Sequence, residues 1–117
     1  RNCLVGSEMC IRDRIKNLHE VSNYIFEKLK LTNIVSKYDD GNNGWIEQIP
    51  FDRIIFTAAS KKINNEIFSH IKNEGIIVCP IVKNNKQILV KYIKQNNKII
   101  SEEYDDVLFV PNLQGVV

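Results

Sequence analysis

Pro50-Phe51-Asp52-Arg53-Ile54-Ile55-Phe56-Thr57-Ala58-Ala59-Ser60 is the stretch on which the fold turns. Its centre, Ile54 to Phe56, is continuously apolar, which suits a strand covered on both faces, as in a parallel sheet. Small residues at Ala58, Ala59 and Ser60 close the strand. Upstream, Ile15, Leu18, Val21, Ile25 and Leu29 recur at three- and four-residue steps, so an amphipathic helix is expected from Ile15 to Leu31. A short β-prone stretch around Ile34 and Val35 then runs into the turn-rich Asp39-Asp40-Gly41-Asn42-Asn43-Gly44.

Downstream, Ile63, Ile67 and Ile71 share one face of a shorter helix, expected from about Ile63 to Asn73 with Gly75 placed to end it. A strand from Ile76 to Ile81 follows. Gln87 to Lys94 and Lys98 to Ser101 flank Gln95-Asn96-Asn97 as a hairpin, and Val107 to Val110 reads as a last strand before Pro111. The pattern thus passes from β-α alternation to consecutive strands. It predicts an α/β fold: a parallel sheet with helices on its faces and an antiparallel hairpin at the C-terminal edge.

A chain of 117 residues allows one domain and one core. With 44% hydrophobic and 26% charged residues it can bury that core, and the formal charge of +2 arises from scattered lysines, so no basic face argues for nucleic acid or a membrane surface. The odd set Cys3, Cys10 and Cys79 leaves one thiol unpaired in any disulfide scheme and suggests a reducing compartment. His19 and His70 are far apart, and no spacing advertises a metal site. No apolar run approaches the ~20 residues that span a bilayer, and the opening residues lack the h-region of a secretion signal, so a cytoplasmic protein is expected.

Read from the residues alone, Asp39-Asp40-Gly41 follows a short strand, where the carboxyl ends of parallel strands gather ligands. An acidic loop with glycines is also often only a turn, because Asp and Gly tolerate the dihedrals of a chain reversal. Small residues at positions 57–59 also have a plain reading, as tight strand-to-helix packing.

The string Asp40-Gly41-Asn42-Asn43-Gly44-Trp45, followed by Pro50-Phe51-Asp52-Arg53-Ile54-Ile55 and Thr57-Ala58-Ala59, resembles the signature of the protein-L-isoaspartate O-methyltransferases. Glu74-Gly75-Ile76-Ile77-Val78 and Phe109-Val110-Pro111 resemble two later pieces of the same family, so the resemblance spans about Arg14 to Gly115. Departures are Asp39, Glu74 and Asn112, which stand where the family commonly has Gly, Gly and Leu.

The resemblance implies the C-terminal portion of a partial doubly wound, Rossmann-like methyltransferase sheet. It implies S-adenosylmethionine as cofactor and methyl transfer to the side-chain carboxylate of L-isoaspartyl residues in peptides and damaged proteins, a repair reaction carried out by a monomer. By position, Asp40 and Gly41 take the family's contact with the adenine: a carboxylate can accept from the adenine amino group, and Gly lets the backbone lie close. Thr57, Ala58 and Ala59 take the place beside the substrate carboxylate. No catalytic residue is assigned, and Trp45 is expected to be a packing anchor.

The family's glycine-rich loop after its first strand has no counterpart here. Residues 1–13 match nothing in the family, and VGSEMCIRDR resembles translated adapter sequence from assembled genes, so this segment is expected to be non-native or disordered, with the methyltransferase portion spanning 14–117. Asp13, which precedes Arg14-Ile15 as an acid does in the family, is therefore not counted as a site residue. Two rival readings are a non-catalytic fragment and a different class I methyltransferase acting on another substrate.

Overall fold

The computed structural model describes residues 9–117, which fall into two units, 9–49 with Gln114–Val117, and Pro50–Leu113. In the first unit β1 (Met9–Asp13) and β2 (Ile34–Tyr38) pair in parallel, from Met9 opposite Ile34 to Asp13 opposite Tyr38. Parallel neighbours need a crossover, and α1 (Lys16–Lys28) supplies it. The helix is tied to the strands by polar groups. Asp13 Oδ2 lies 3.0 Å from His19 Nδ1, His19 Nε2 lies 3.0 Å from Asn23 Nδ2, and the Ser36 hydroxyl donates to Asn23 Oδ1.

The helix stops before Leu31 for a local reason. Lys30 adopts φ 57°, Leu31 N–H bonds the Phe26 carbonyl at 2.9 Å and Lys30 N–H that of Glu27 at 3.0 Å, the two bonds of a Schellman end. Its apolar stripe is exposed: Leu18, Val21, Ile25 and Leu29 retain 44–62% of their accessible surface. Periodicity locates an apolar face but does not say what covers it.

Residues 9–13 differ from the expectation that ordered structure starts at Arg14, because their backbone finds ladder partners in β2. Residues 1–8 lie outside the described residues.

The second unit is a four-stranded sheet in the order β3 (Phe51–Ile55), β4 (Ile71–Lys83), β5 (Lys86–Gln95), β6 (Lys98–Val107). β3 and β4 are parallel, and β4, β5 and β6 are antiparallel, as the hairpin reading anticipates. Both hairpins turn on two asparagines with positive φ: 52° and 62° at Asn84-Asn85, 50° and 62° at Asn96-Asn97. Such turns match the right-handed twist of the flanking strands.

The core of this unit is Ile63, Ile67, Ile71, Ile77 and Cys79, each at most 5% exposed, with Phe51, Ile54, Phe56, Phe68, Ile81 and Tyr92 packed around it. Each isoleucine buried in this way contributes roughly 1.5–3 kcal/mol. Three of the five carry the predicted helical spacing, yet the predicted helix is only partly present. α2 covers Asn65–Ser69, capped by the Asn64 side chain, which accepts from Glu66 N–H at 3.2 Å. Ile71 already belongs to β4, opposite Phe51.

Gly75 therefore lies inside a strand and does not end a helix. A Cβ there would sit 2.6 Å from the Lys72 carbonyl oxygen, and Glu74 beside it takes φ 68°, where the β3–β4 register skips from Phe51–Ile71 to Arg53–Ile76. The separate last strand expected from Val107 to Val110 is also corrected. β6 ends at Val107, and beyond it the Gln87 side chain takes over the pairing, accepting from Phe109 N–H at 2.6 Å and donating to its carbonyl at 3.0 Å.

Candidate functional site

Asp40 and Gly41 occupy the loop that leaves the carboxyl end of β2. Asp40 has extended backbone (φ −78°, ψ 113°) and caps a single 3-10 turn, Gly41–Asn43, its Oδ1 accepting from Asn42 N–H at 2.9 Å. Gly44, at φ 67°, lets the chain leave that turn. The other carboxylate oxygen, Oδ2, accepts from Gly115 N–H at 2.9 Å, a contact across 75 residues within the same unit. Nothing local in the sequence announces that partner.

The loop is held electrostatically. Arg12 Nη2 donates to the Asp40 carbonyl at 3.0 Å and lies 3.0 Å from Asp39 Oδ2, which Lys37 Nζ also approaches at 3.2 Å. Asp39 accepts from Asp40 N–H at 2.7 Å. That backbone bond, with the Lys37 bond and the Arg12 charge, holds the Asp39 carboxyl below the usual carboxylate range against a smaller cost of burial. Trp45, 8% exposed, packs beneath both cations, with Arg12 Cζ 5.4 Å and Lys37 Nζ 5.8 Å from its ring centroid. It is the anchor its size predicts. Arg12, by contrast, is missed by a sequence reading that sets residues 1–13 aside.

This geometry is compatible with an adenine contact. A carboxylate offers about four lone-pair sites, and Asp40 commits one to Asn42 and one to Gly115. At Gly41 an added Cβ would meet only Arg12 Cβ at 3.5 Å, an ordinary contact. The chain's own packing gives no reason for glycine there, so room for an approaching ligand is a coherent use of it.

Thr57, Ala58 and Ala59 leave the end of β3 in the second unit. They differ sharply in accessibility: Thr57 is exposed, Ala58 half-buried and Ala59 4% exposed. Ala59 forms a parallel bridge to Pro111, donating to the Val110 carbonyl and accepting from Asn112 N–H, both at 2.7 Å. Ser60 continues this short ladder on the other side, bonding the backbone of Pro80 and Val82 at 2.9 and 2.8 Å. For Ala59 the small side chain serves tight packing, and only Thr57 and Ala58 present surface to a substrate. Asn112 Nδ2 donates to Ser60 Oγ at 2.7 Å, a contact that no sequence spacing suggests.

Cys79 is free and buried, as the odd cysteine count requires, whereas Cys10 is disulfide-bonded, which departs from the reducing compartment that the count suggested. Burial pushes the Cys79 thiol up to about 11, against a hydrogen bond with Ser60 that lowers it. Such a thiol is a poor nucleophile and no candidate for catalysis. Among the described residues no group of three His, Cys, Asp or Glu could hold a metal ion, and no helix is long and apolar enough to cross a membrane.

Comparison with known proteins adds a further finding. The family model described as protein-L-isoaspartate(D-aspartate) O-methyltransferase matches residues 3–116. A protein-L-isoaspartate O-methyltransferase of Maricaulis maris is 40% identical over 103 residues, covering 88% of this chain and 48% of the relative. One from Helicobacter pylori is 36% identical over 105 residues, covering 89% and 50%. The chain thus spans about half the length of the curated relatives it matches. Among solved structures, a Plasmodium falciparum protein described as a protein-L-isoaspartate O-methyltransferase, in complex with S-adenosyl-L-homocysteine, superposes with a TM-score of 0.79 at 22% identity, covering 91% of this chain and 52% of that one. A second structure of that description gives a TM-score of 0.79 at 15% identity. The α/β architecture is therefore part of the Rossmann-like methyltransferase fold.

Proposed function

The chain belongs to the protein-L-isoaspartate(D-aspartate) O-methyltransferase family, and from that premise we propose that it supplies the adenine-binding and acceptor-side elements of a methyltransferase that acts on isoaspartyl residues of peptides and damaged proteins. When bound, S-adenosylmethionine supplies a methyl group already activated as a sulfonium. The work left to the protein is alignment and exclusion of water.

In this reading Asp40 accepts from the adenine amino group, and Gly41 leaves the ring room. Thr57 and Ala58 shape the acceptor side, while Ala59 and Ser60 hold that segment in its short ladder. The enzyme acts as a monomer, in the cytoplasm and not on nucleic acid. The residues given ligand roles lie within 14–117, and Arg12, within the matched span 3–116, holds the Asp40 loop in place. The observation that carries the reading is the Asp40-Gly41 loop at the carboxyl end of a parallel strand, with spare acceptor capacity and a glycine that the chain's own packing does not require.

The test is calorimetry of S-adenosylhomocysteine binding to this chain extended by the N-terminal half of a relative. Asp40→Ala should cost ~1–3 kcal/mol of binding, roughly 5- to 150-fold in affinity. Asp40→Asn, which keeps a carbonyl acceptor, should cost less. Unchanged affinity in Asp40→Ala would return the loop to the reading of a simple turn.

A further inference from the structure

The carboxyl ends of β1 and β2, where an open parallel sheet presents its ligand crevice, are spanned by the segment Gln114–Val117 of the same unit. Gly115 N–H bonds Asp40 Oδ2 at 2.9 Å, the Val117 carbonyl accepts from Lys16 N–H at 2.8 Å, and Val117 N–H bonds the Arg14 carbonyl at 3.0 Å. The segment is thus pinned on both sides of the crevice: at the acidic loop after β2, and at the junction of β1 with α1. At the helix, the Val117 carbonyl satisfies the Lys16 N–H, one of the first-turn donors that has no intrahelical partner.

We propose that Gln114–Val117 is a strap at the adenine end of the crevice, and that an adenine amino group engages Asp40 at Oδ2 itself, displacing the Gly115 N–H instead of using the acceptor sites left over. The inference rests on the reading of Asp40 as an adenine contact. Three features make the strap displaceable. It is held by backbone hydrogen bonds and not by buried side chains, Val116 and Val117 retaining 43% and 64% exposure. Gly115 bonds Asp40 from a left-handed φ of 77°, with nothing within 4 Å of where its Cβ would lie, so packing does not lock it in place. Moreover, the Gly115 N–H and the adenine amino group are donors of the same kind, so one can replace the other on Oδ2 with little net change in hydrogen bonding. The strap therefore acts as an internal competitor, ordering the Asp40 loop when no ligand is present and weakening the apparent affinity for any adenosine-bearing ligand.

The experiment is an NMR titration with S-adenosylhomocysteine of the chain extended, as in the calorimetry above, by the N-terminal half of a relative, following the Gly41, Asn42 and Gly115 amides, with two variants beside it. One ends at Leu113. The other is Gly115→Ala, which disfavours the positive φ of the bonded conformation without a steric clash and keeps the full length. Circular dichroism checks that both fold. The expected result is roughly 2- to 10-fold tighter binding by the shortened chain, the range one net hydrogen bond commands. A smaller gain is expected for Gly115→Ala, and the Gly115 amide of the parent chain should lose its exchange protection as ligand is added. Equal or weaker binding by both folded variants overturns the strap alone, as does a Gly115 amide that stays protected at saturation. Binding by none of the three overturns the adenine reading of Asp40 and the strap with it.

Discussion

Asn112 and Ser60, 52 residues apart, are joined side chain to side chain at 2.7 Å, while the backbone of Asn112 donates to Ala59 at the same distance. The pair fastens the segment after β3 to the segment after β6. Ser60 is 8% exposed, so its hydroxyl depends on protein partners. Asn112→Ala should lower stability by about 1 kcal/mol, the net value of a part-buried hydrogen bond. Urea denaturation would measure it, and an unchanged midpoint would show that the bond contributes nothing.

Glu74 and Gly75 make opposite predictions side by side. Glu74 holds a left-handed φ of 68°, so Glu74→Gly should stabilise by about 1 kcal/mol by relieving that conformation. Gly75→Ala would place a Cβ 2.6 Å from the Lys72 carbonyl oxygen, a backbone atom that can yield only if the chain itself shifts, and should destabilise by several times as much. Thermal melts of the two variants should therefore shift in opposite directions.

Cys79 is fully buried in the core, and its thiol is raised from 9.0 to about 11. In the folded chain it should resist alkylation at pH 8 and react once urea is added. Because the folded state favours the protonated thiol, this group's contribution to stability is fully present below about pH 9 and is lost as pH rises towards 11. Cys79→Ala should flatten that alkaline limb of the stability profile, at the cost of a small cavity beside Ile77.

Asp39 titrates below its ordinary value of 3.8, owing first to the Asp40 backbone bond and then to Lys37. Its contribution is therefore present above about pH 4 and is lost as pH falls through the lower folded value. A carboxyl NMR titration should place Asp39 below 3.8, and Lys37→Met should move it upward. An unshifted Asp39 would mean that the Asp40 N–H bond, together with the Lys37 and Arg12 contacts, is not maintained in solution.

The local features of this fold were legible because their causes are local. The asparagine turn at 96–97 and the stripe of α1 each depend on neighbours within a few residues, whereas the apolar run at Ile54–Phe56 marked a strand but not its cover: Ile55 is 72% exposed, so β3 is not buried on both faces as the run suggested. The run from Asp40 to Ala59 identified the family, because its residue types and spacings together are far more specific than any one of them. The extent of the second helix was not legible. Ile63, Ile67 and Ile71 were correctly read as buried, yet four-residue spacing cannot tell a helix from a chain that turns after Ser69 and pairs Ile71 with Phe51, a partner 20 residues away. The same limit governs the site. Sequence marked Asp40, Gly41, Thr57, Ala58 and Ala59, but only the tertiary structure decided that Ala59 is sealed in a ladder with Pro111 and that Asp40 Oδ2 is taken by Gly115. Those bonds run to backbone groups, the Val110 carbonyl, the Asn112 N–H and the Gly115 N–H, which almost every residue type can supply, so the side chains there do not announce the pairing.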